Sequence, residues 1–591
     1  MFEKILIANR GEIAVRIIRT AKEMGIATVA VYSEIDRDAL HVAMADEAFL
    51  IGPAAPSQSY LNVPNLLETA RRSGAQAIHP GYGFLAENAA FAREVIGAGL
   101  VWIGPHPGAI DAMGDKVRAR QAMVKAGVPV VPGGTEPIAD TRDAVAAAER
   151  YGLPLALKAS GGGGGKGLKV ARTIEEIGPA LATAQREAEA YFKNGTIYAE
   201  RYLDNPKHIE LQVLADKHGT VLHVGERDCS LQRRHQKLWE EAPATIPERV
   251  RAGLRDAGIR AAQSIGYDSV GTIECLVGGD DFYFLEMNTR IQVEHTVSEQ
   301  ISGLDLIREQ IRVAAGEPLG FTQKQIDFRG HAIEGRVNAE DPAHNFRPAP
   351  GTVTSYREPA GLGVRVDSAA FPGFTISPDY DSMIAKLVVW APTRAQAIAR
   401  LRRAIDEFEI GGVPTTLPLL RALCDHGPVD DATYGTATLE AFAAQLYSGG
   451  GHAATGSGAA DGALASSGGA PAASDTTVRV EINDKLYRVR LLDLPTGSAP
   501  SSPRPAAAPR RAQKKRAVAA AGNDVTSPLH GVVVEVNVQE GQDVAQGQVV
   551  AVIEAMKMMN EIRAHKSGAA SKVHVRTGET VEAQSPLVTI D

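Results

Sequence analysis

The sequence predicts a multidomain α/β protein that ends in a small all-β sandwich. Three observations carry that expectation. Residues 1 to 447 alternate strand-like and helix-like segments with few breaks. Residues 448 to 474 are then almost wholly Gly, Ala and Ser, the composition of a flexible linker. Residues 525 to 591 contain an internal repeat. A chain of 591 residues is also too long for one core, so three to five domains are expected.

The N-terminal segment reads KILIANR, then a helical stretch from Ile13 to Lys22, then ATVAVYSE, a β-α-β start. It lacks Gly-x-Gly-x-x-Gly, so it does not read as a dinucleotide site. The turns Asn9-Arg10-Gly11-Glu12 and His79-Pro80-Gly81-Tyr82-Gly83-Phe84 follow apolar runs, and ligands of open α/β sheets bind at such strand ends. Leu155-Ala156-Leu157-Lys158-Ala159-Ser160 leads into Gly161 to Gly165, then Lys166-Gly167. Glycines permit close backbone approach, and N–H groups there can cradle phosphate oxygens. A merely flexible crossing is the plainer reading of the glycines alone. The run is not a Walker A loop, which needs Gly where Ser160 stands and Ser or Thr where Gly167 stands.

Lys207-His208-Ile209-Glu210-Leu211-Gln212 places His208, Glu210 and Gln212 on one strand face. Arg233-Arg234-His235-Gln236-Lys237 is a basic run that calls for an anion nearby. A lone histidine is more often structural, and His223 is read so. Cys229 has no base beside it in sequence and is read as a buried thiol.

The strongest catalytic signal lies between Glu286 and Glu294, where the chain reads EMNTRIQVE. Glu286, Asn288, Arg290, Gln292 and Glu294 are spaced by two, so an extended chain projects all five from one face. Upstream, TIECLV and FYFLEM flank Gly278-Gly279-Asp280-Asp281, a hairpin signal. Pairing symmetric about Asp280 sets Glu274 opposite Glu286, with Cβ atoms about 4.5–5.5 Å apart. Two carboxylates that close repel unless a cation lies between them, and oxygen ligands suit Mg²⁺ or Mn²⁺. A solvent-exposed strand face is the bland alternative. It does not explain a facing carboxylate pair beside an arginine and another carboxylate.

Beyond the Gly/Ala/Ser stretch, VRVEI and LYRVRLL flank Asn483-Asp484 within 478–492, which reads as a short β-hairpin. From Pro495 to Ala521 the chain is Pro/Ala-rich, then basic at Arg510, Arg511, Lys514, Lys515 and Arg516. A solvated linker explains that run more simply than a dock for an acidic partner. By random-coil scaling a 27-residue Gly/Ser segment reaches roughly 29 Å root-mean-square.

In the repeat, Gly531, Val538, Gly541, Val544 and Ile553 match Gly568, Val575, Gly578, Val581 and Ile590 at a constant offset of 37. Between the two units lies Glu554-Ala555-Met556-Lys557-Met558-Met559-Asn560. Two similar strand-and-turn units with one lysine between them predict a pseudo-symmetric sandwich carrying Lys557 on a central hairpin. A lone lysine among flexible methionines suits covalent attachment of a swinging cofactor. An ordinary exposed lysine over packed methionines is the alternative.

Bulk properties narrow the class. Hydrophobic content of 44% and charged content of 22% are those of a soluble globular chain. A net charge of −8 gives no basic footprint for nucleic acid. Cys229, Cys275 and Cys424 are in no metal-ligand spacing and argue against a disulfide framework. No signal peptide and no apolar run of about 18 residues is evident, so a cytoplasmic protein without a membrane partner is expected.

These motifs resemble biotin carboxylase through the first 447 residues and the biotinyl carrier domain through 525–591. Asn9–Glu12 and His79–Phe84 are similar to its N-terminal domain, and the poly-glycine loop with its lysines resembles the ATP-grasp ligases. Lipoyl carriers share the carrier fold, but the Met-Lys-Met setting favours biotin on Lys557. The resemblance implies an N-terminal α/β domain (1–113), an ATP-grasp domain (114–329) and a C-terminal α+β domain (330–447). A flexible linker with its β island (448–524) and a biotinyl/lipoyl-type sandwich (525–591) follow. It further implies that Lys116, Lys158, Gly163, Gly164, Glu200, His208 and His235 contact ATP, and that Glu274, Glu286 and Asn288 bind the metal. Arg290, Gln292 and the Val293 backbone would hold bicarbonate, Glu294 would be the general base, and Lys237 would face the phosphates and carboxyphosphate. Arg336 would stabilise the biotin enolate as an oxyanion donor, an effect worth roughly 3–4 kcal/mol in other enzymes.

By that resemblance the chain is the α subunit of an acyl-CoA carboxylase of the actinobacterial type, converting ATP, bicarbonate and biotinyl-Lys557 into ADP, phosphate and carboxybiotinyl-Lys557. Its expected partners are a carboxyltransferase β subunit, which would receive the acyl-CoA, and a biotin protein ligase, with homo-oligomers inside a larger α/β complex. No large docking domain lies between carboxylase and carrier, unlike propionyl-CoA carboxylase α subunits. Two other classes stay open here. One is a non-catalytic carrier with a dead ATP-grasp body, which would show only background ATPase activity. The other is an ATP-grasp ligase of a different substrate, which would leave free biotin uncarboxylated.

Overall fold

The computed structural model describes residues 1–134, 136–159, 168–192, 195–234, 236–448, 477–482, 485–490, 523–529, 531–555, 558–582 and 584–591. They fall into two compact units. The first opens on five parallel strands: β1 (Lys4–Ile7), β2 (Ala27–Ser33), β3 (Glu47–Gly52), β4 (Ala77–His79) and β5 (Val101–Trp102), ordered β3-β2-β1-β4-β5. Their near-continuous apolar character follows from burial on both faces: Ile5, Leu6 and Ile7 are fully buried. The helix Gly11–Glu23 follows β1. The carboxyl ends of β1 and β4 meet, because the Asn9 side-chain amide donates to the carbonyls of Pro80 (2.7 Å) and Tyr82 (2.8 Å). Gly81 is required there. Its φ is +63°, and a Cβ would lie 2.9 Å from the Asn9 amide.

A three-stranded antiparallel sheet follows, β6 (Leu155–Ala159), β7 (Leu168–Ala171) and β8 (Ile197–Arg201), ordered β7-β6-β8. Leu155, Leu157, Ala171 and Ile197 pack with Ala144 and Ala148 of the helix Thr141–Tyr151 and with Ile177 and Leu181 of Ile174–Phe192. That small core gives the segment its own sheet-on-helix layer.

The largest sheet has eight antiparallel strands. It comprises β9 (Lys207–Ala215), β10 (Val221–Arg233), β11 (Gln236–Ala242), β12 (Val270–Gly278), β13 (Asp281–Asn288), β14 (His331–Asn338) and the strands Met383–Ala391 and Val364–Ser368. The order is β13-β12-β9-β10-β11-β14, then Met383–Ala391, then Val364–Ser368. On β9, Ile209, Leu211 and Val213 face a core with Leu254, Ala257 and Ala261 of the helix Glu248–Ser264. Alternation therefore turns His208, Glu210 and Gln212 to the opposite face, where all three are buried as well. A sheet carrying buried charge on one face needs those charges paired.

The hairpin Thr477–Ile482/Lys485–Arg490 pairs Ile482 with Lys485 around Asn483 and Asp484. In the second unit, the strands between residues 524 and 590 form two four-stranded sheets. The repeat is visible in the elements: strands Gly531–Val536 and Gly568–Val573 correspond, as do Asp543–Val544 and Thr580–Val581. Val538, Val544, Ile553, Val575, Val581 and Ile590 share one buried core. The matched glycines have a matched cause. A Cβ on Gly531 would meet the Glu554 carbonyl oxygen at 2.4 Å, and one on Gly568 would meet that of Asp591 at 2.0 Å.

Candidate active site

The site grows from the polar face of β9 and its neighbours. β12 pairs with β13 so that Glu274 lies opposite Glu286, the expected pair; the strands leave the turn with Gly278 opposite Asp281, one step off the expected symmetry about Asp280, and an irregularity between Glu274 and Cys275 makes up the difference. β12 also pairs with β9, setting Glu274 beside Glu210. Asn288 donates its amide to Glu274 Oε1 at 2.7 Å. β13 ends at Asn288, however. The expected extended row to Glu294 is corrected by the structure: the chain turns after Asn288 and enters the helix His295–Ser302, with Glu294 at its N-cap. Arg290, Gln292 and Glu294 reach the site from this turn rather than from a strand face. The turn is held by His295, whose Nδ1 and backbone N–H lie 2.7 and 3.3 Å from the Gln292 carbonyl.

Carboxylates and cations alternate through the site. Lys237 Nζ donates to Glu274 (2.9 Å) and Glu294 (2.8 Å) and also pairs with Glu210. Burial opposes its charge, but the three carboxylates outweigh that and hold its pKa well above the usual lysine value. His208 Nε2 lies 3.1 Å from Glu274 and 3.3 Å from Glu210. Burial alone would lower its pKa, yet Glu274 and Glu210 lift it to about 9. Glu294 is 2% exposed. Burial pushes its carboxyl up, but Lys237 and Arg336 overcome this and hold it below the ordinary glutamate range. Arg336 donates from Nη2 to Glu294 (2.9 Å) and from Nε to Glu240 (2.6 Å).

The bicarbonate-loop candidates are tied to the same network. Gln292 donates to Glu274 at 2.8 Å and accepts from Arg227 at 2.7 Å. Arg290 donates to Asn288 (2.7 Å) and to Glu87 (2.8 Å), and Glu87 also accepts from the Thr289 N–H. The Val293 carbonyl accepts from Lys386 at 3.0 Å. In the three-stranded sheet, Lys158 on β6 pairs with Glu200 on β8. Lys116 begins the helix Lys116–Lys125. Gly163, Gly164, His235 and Lys557 lie outside the described residues.

Four residues of the network were missed by sequence reasoning: Arg227, Glu87, Glu240 and Lys386. Arg227 is wholly buried and donates to Glu210, Gln212, Thr272, Gln292 and Ser298. An arginine inside the run Val221–Arg233 was the available signal, since a strand-interior guanidinium needs partners. Glu87 comes from another sheet layer about 200 residues upstream and left no local signal. His223 stacks on Phe328 at 6.0 Å, and burial lowers its pKa to about 4, as befits a structural residue. Cys229 is buried and its thiol is pushed far up by burial. Arg227→Met leaves Glu210 and Gln292 without their guanidinium. It is expected to cost about 3–5 kcal/mol, read as an earlier first transition in urea; an unchanged transition would refute the organising role.

Comparison with known proteins finds four matching stretches of the chain. Residues 1–110 match the biotin carboxylase N-terminal domain, 115–322 the carbamoyl-phosphate synthase L chain ATP-binding domain, and 334–441 the biotin carboxylase C-terminal domain. Residues 517–590 match the domain described as biotin-requiring enzyme. The chain is 44% identical over 607 aligned residues to the biotin-dependent acyl-coenzyme A carboxylase alpha3 subunit of Mycobacterium leprae, covering 99% of this chain and 98% of that protein. It is 51% identical to biotin carboxylase 1 of Bacillus subtilis, covering 75% of this chain and 99% of that one. The biotin carboxylase domain dimer of Hydrogenobacter thermophilus 2-oxoglutarate carboxylase, solved with MgADP and bicarbonate, superposes with a TM-score of 0.70 at 48% identity, covering 75% of this chain and 98% of that one. The buried carboxylate–cation network thus sits in the domain set of a known ligase, and the chain belongs to the biotin carboxylase family, with the ATP-dependent carboxylase and the biotin-requiring domain on one polypeptide.

Proposed function

We propose that this chain loads its own biotin as the α subunit of an acyl-CoA carboxylase, and that the network around Glu294 does the chemistry. The observation that carries the reading is the convergence of Arg290, Gln292 and Glu294 with Lys237 and Arg336 over the Glu274–Glu286 strand pair. Bicarbonate is a poor electrophile and must be activated by phosphorylation. Arg290, Gln292 and the Val293 backbone hold it in this reading. Glu294, ionised because its pKa is depressed, takes its proton and makes its oxygen a nucleophile toward the terminal phosphate of ATP. Lys237 supplies positive charge where phosphate charge develops. Lys116, Lys158, Gly163, Gly164, Glu200, His208 and His235 are assigned to the nucleotide.

A divalent ion, Mg²⁺ or Mn²⁺, fits the oxygen donors of Glu274, Glu286 and Asn288. Glu274 is held ionised well below its usual pKa, as a hard cation requires. The ion would neutralise the phosphates when bound. For biotin, the pairing of Ala555 with Met558 brackets Met556 and Lys557 between two strands, which supports Lys557 as the attachment lysine. Biotin supplies the ureido nitrogen that accepts the carboxyl group, and Arg336 provides a guanidinium beside Glu294 that can donate to its carbonyl.

The whole-length similarity to the M. leprae subunit supports a separate carboxyltransferase β subunit as recipient and an acyl-CoA as final acceptor. A biotin protein ligase as modifier, a homo-oligomer within an α/β complex, and a cytoplasmic setting complete the proposal. Among the described residues no helix is long and apolar enough to cross a membrane. The domain limits proposed are 1–113, 114–329, 330–447, 448–524 and 525–591. The test is ATP cleavage by the purified chain with and without bicarbonate and free biotin. Turnover that needs both, with carboxylated biotin as product, is expected. Turnover indifferent to both would reject the proposal.

A further inference from the structure

Lys386 touches three sequence-distant segments of the network, and its one hydrogen bond in the bicarbonate turn is to the Val293 carbonyl. It lies in the strand Met383–Ala391 and is fully buried. Its ammonium donates to the Val293 carbonyl at 3.0 Å and lies 3.4 Å from Glu12 and 3.7 Å from Asp367. Glu12 belongs to the first turn of the helix Gly11–Glu23 and accepts from Tyr82. Asp367 is anchored by a bidentate pair with Arg365, at 2.9 and 2.7 Å. Burial opposes the ammonium, but Glu12, Glu334 and Asp367 outweigh it and keep the lysine charged.

We infer that Lys386 is a positioning residue for bicarbonate activation: by holding the Val293 carbonyl it sets the peptide plane that leads into Glu294. The Val293 carbonyl and the Glu294 N–H belong to one planar peptide unit, so a fixed carbonyl fixes the backbone direction from which the Glu294 side chain leaves. That unit sits in a turn, where no strand ladder restrains it. Thr296, two residues on, donates to buried Glu334 and restrains the far side of the same turn. Lys386 restrains the near side. A lysine suits this place because its flexible stem ends in a compact charge that can donate to one carbonyl while lying between two carboxylates. The Val293 carbonyl would otherwise be a polar group with no partner among the described residues at that position.

The inference rests on the assignment of the Arg290–Glu294 turn to bicarbonate and general-base work. Lys386→Met in the full-length chain is expected to lower kcat/KM for bicarbonate by about 10²-fold, the size of effect that a misplaced reacting group produces. The KM for ATP should stay within about twofold, because the lysine touches no nucleotide candidate. Lys386→Arg, which keeps charge and donors, should recover part of the loss. If Lys386→Met does not fold, Lys386→Met/Glu12→Gln removes the ammonium together with a carboxylate it neutralises, and the same bicarbonate-selective loss is expected. A folded variant of either kind with wild-type bicarbonate kinetics overturns the inference. So does a loss shared equally by ATP and bicarbonate, which would mark a purely structural role. Glu294→Gln run alongside separates the two layers. If that variant stays fully active the underlying assignment falls. If it is inactive while Lys386→Met is normal, only the positioning role falls.

Discussion

Glu294→Gln is expected to lower bicarbonate-dependent ATP cleavage by about 10²–10⁴-fold, the range typical of a lost general acid or base. The side chain keeps its volume, so packing is preserved, and nucleotide binding measured by equilibrium titration should be little changed. What disappears is the negative oxygen that accepts the proton. In the native protein Lys237 at 2.8 Å and Arg336 at 2.9 Å hold the carboxylate ionised. Its folded pKa lies below the ordinary glutamate value of about 4.3. The base is therefore fully available at neutral pH and is lost only as the pH falls through that depressed value. Any activity loss between pH 6 and 8 belongs to another group. A Gln variant with near wild-type turnover would remove Glu294 from the role.

Lys557→Arg should eliminate avidin reactivity and all transfer of the carboxyl group to an acyl-CoA through the carrier, while carboxylation of free biotin continues. Arginine keeps the charge but cannot form the amide, because its guanidinium remains protonated at any working pH. The sandwich should not unfold, since its core is made by Val533, Val544, Ile553, Val581 and Ile590, and the substitution changes none of them. Avidin binding retained by the variant would show that the biotin is attached elsewhere. Loss of free-biotin carboxylation in the same variant would show that the carboxylase depends on its carrier for more than delivery.

Local periodicity carried a large part of this protein. Alternation on β9 turned His208, Glu210 and Gln212 to one face, which follows from strand geometry that a few consecutive residues specify. The two-residue turn at Gly279-Asp280 by itself would set Glu274 against Leu285, and the irregularity after Glu274 moves it opposite Glu286. The same reasoning overreached at Glu286–Glu294. Spacing by two is compatible with a strand, but hydrogen-bonded neighbours are needed to keep one extended. β13 loses its partner beyond Thr272–Asn288, and the chain turns into a helix. The polar residues still converge, now through a turn that brings Glu294 to Lys237 and Gln292 to Glu274.

The residues that sequence reasoning missed share a cause. Arg227, Glu87, Glu240 and Lys386 act through contacts across 15 to 203 positions, and a buried charge looks no different in sequence from a surface one. Alone, the chain determined its repeat, its turns, its alternating faces and the lysine between two matched strands, because each is a property of neighbours along the backbone. Only tertiary structure decided which charges are buried, which carboxylate each cation neutralises, and where the strand carrying Glu286 stops, because those depend on partners brought in from sequence-distant segments to offset the cost of desolvation.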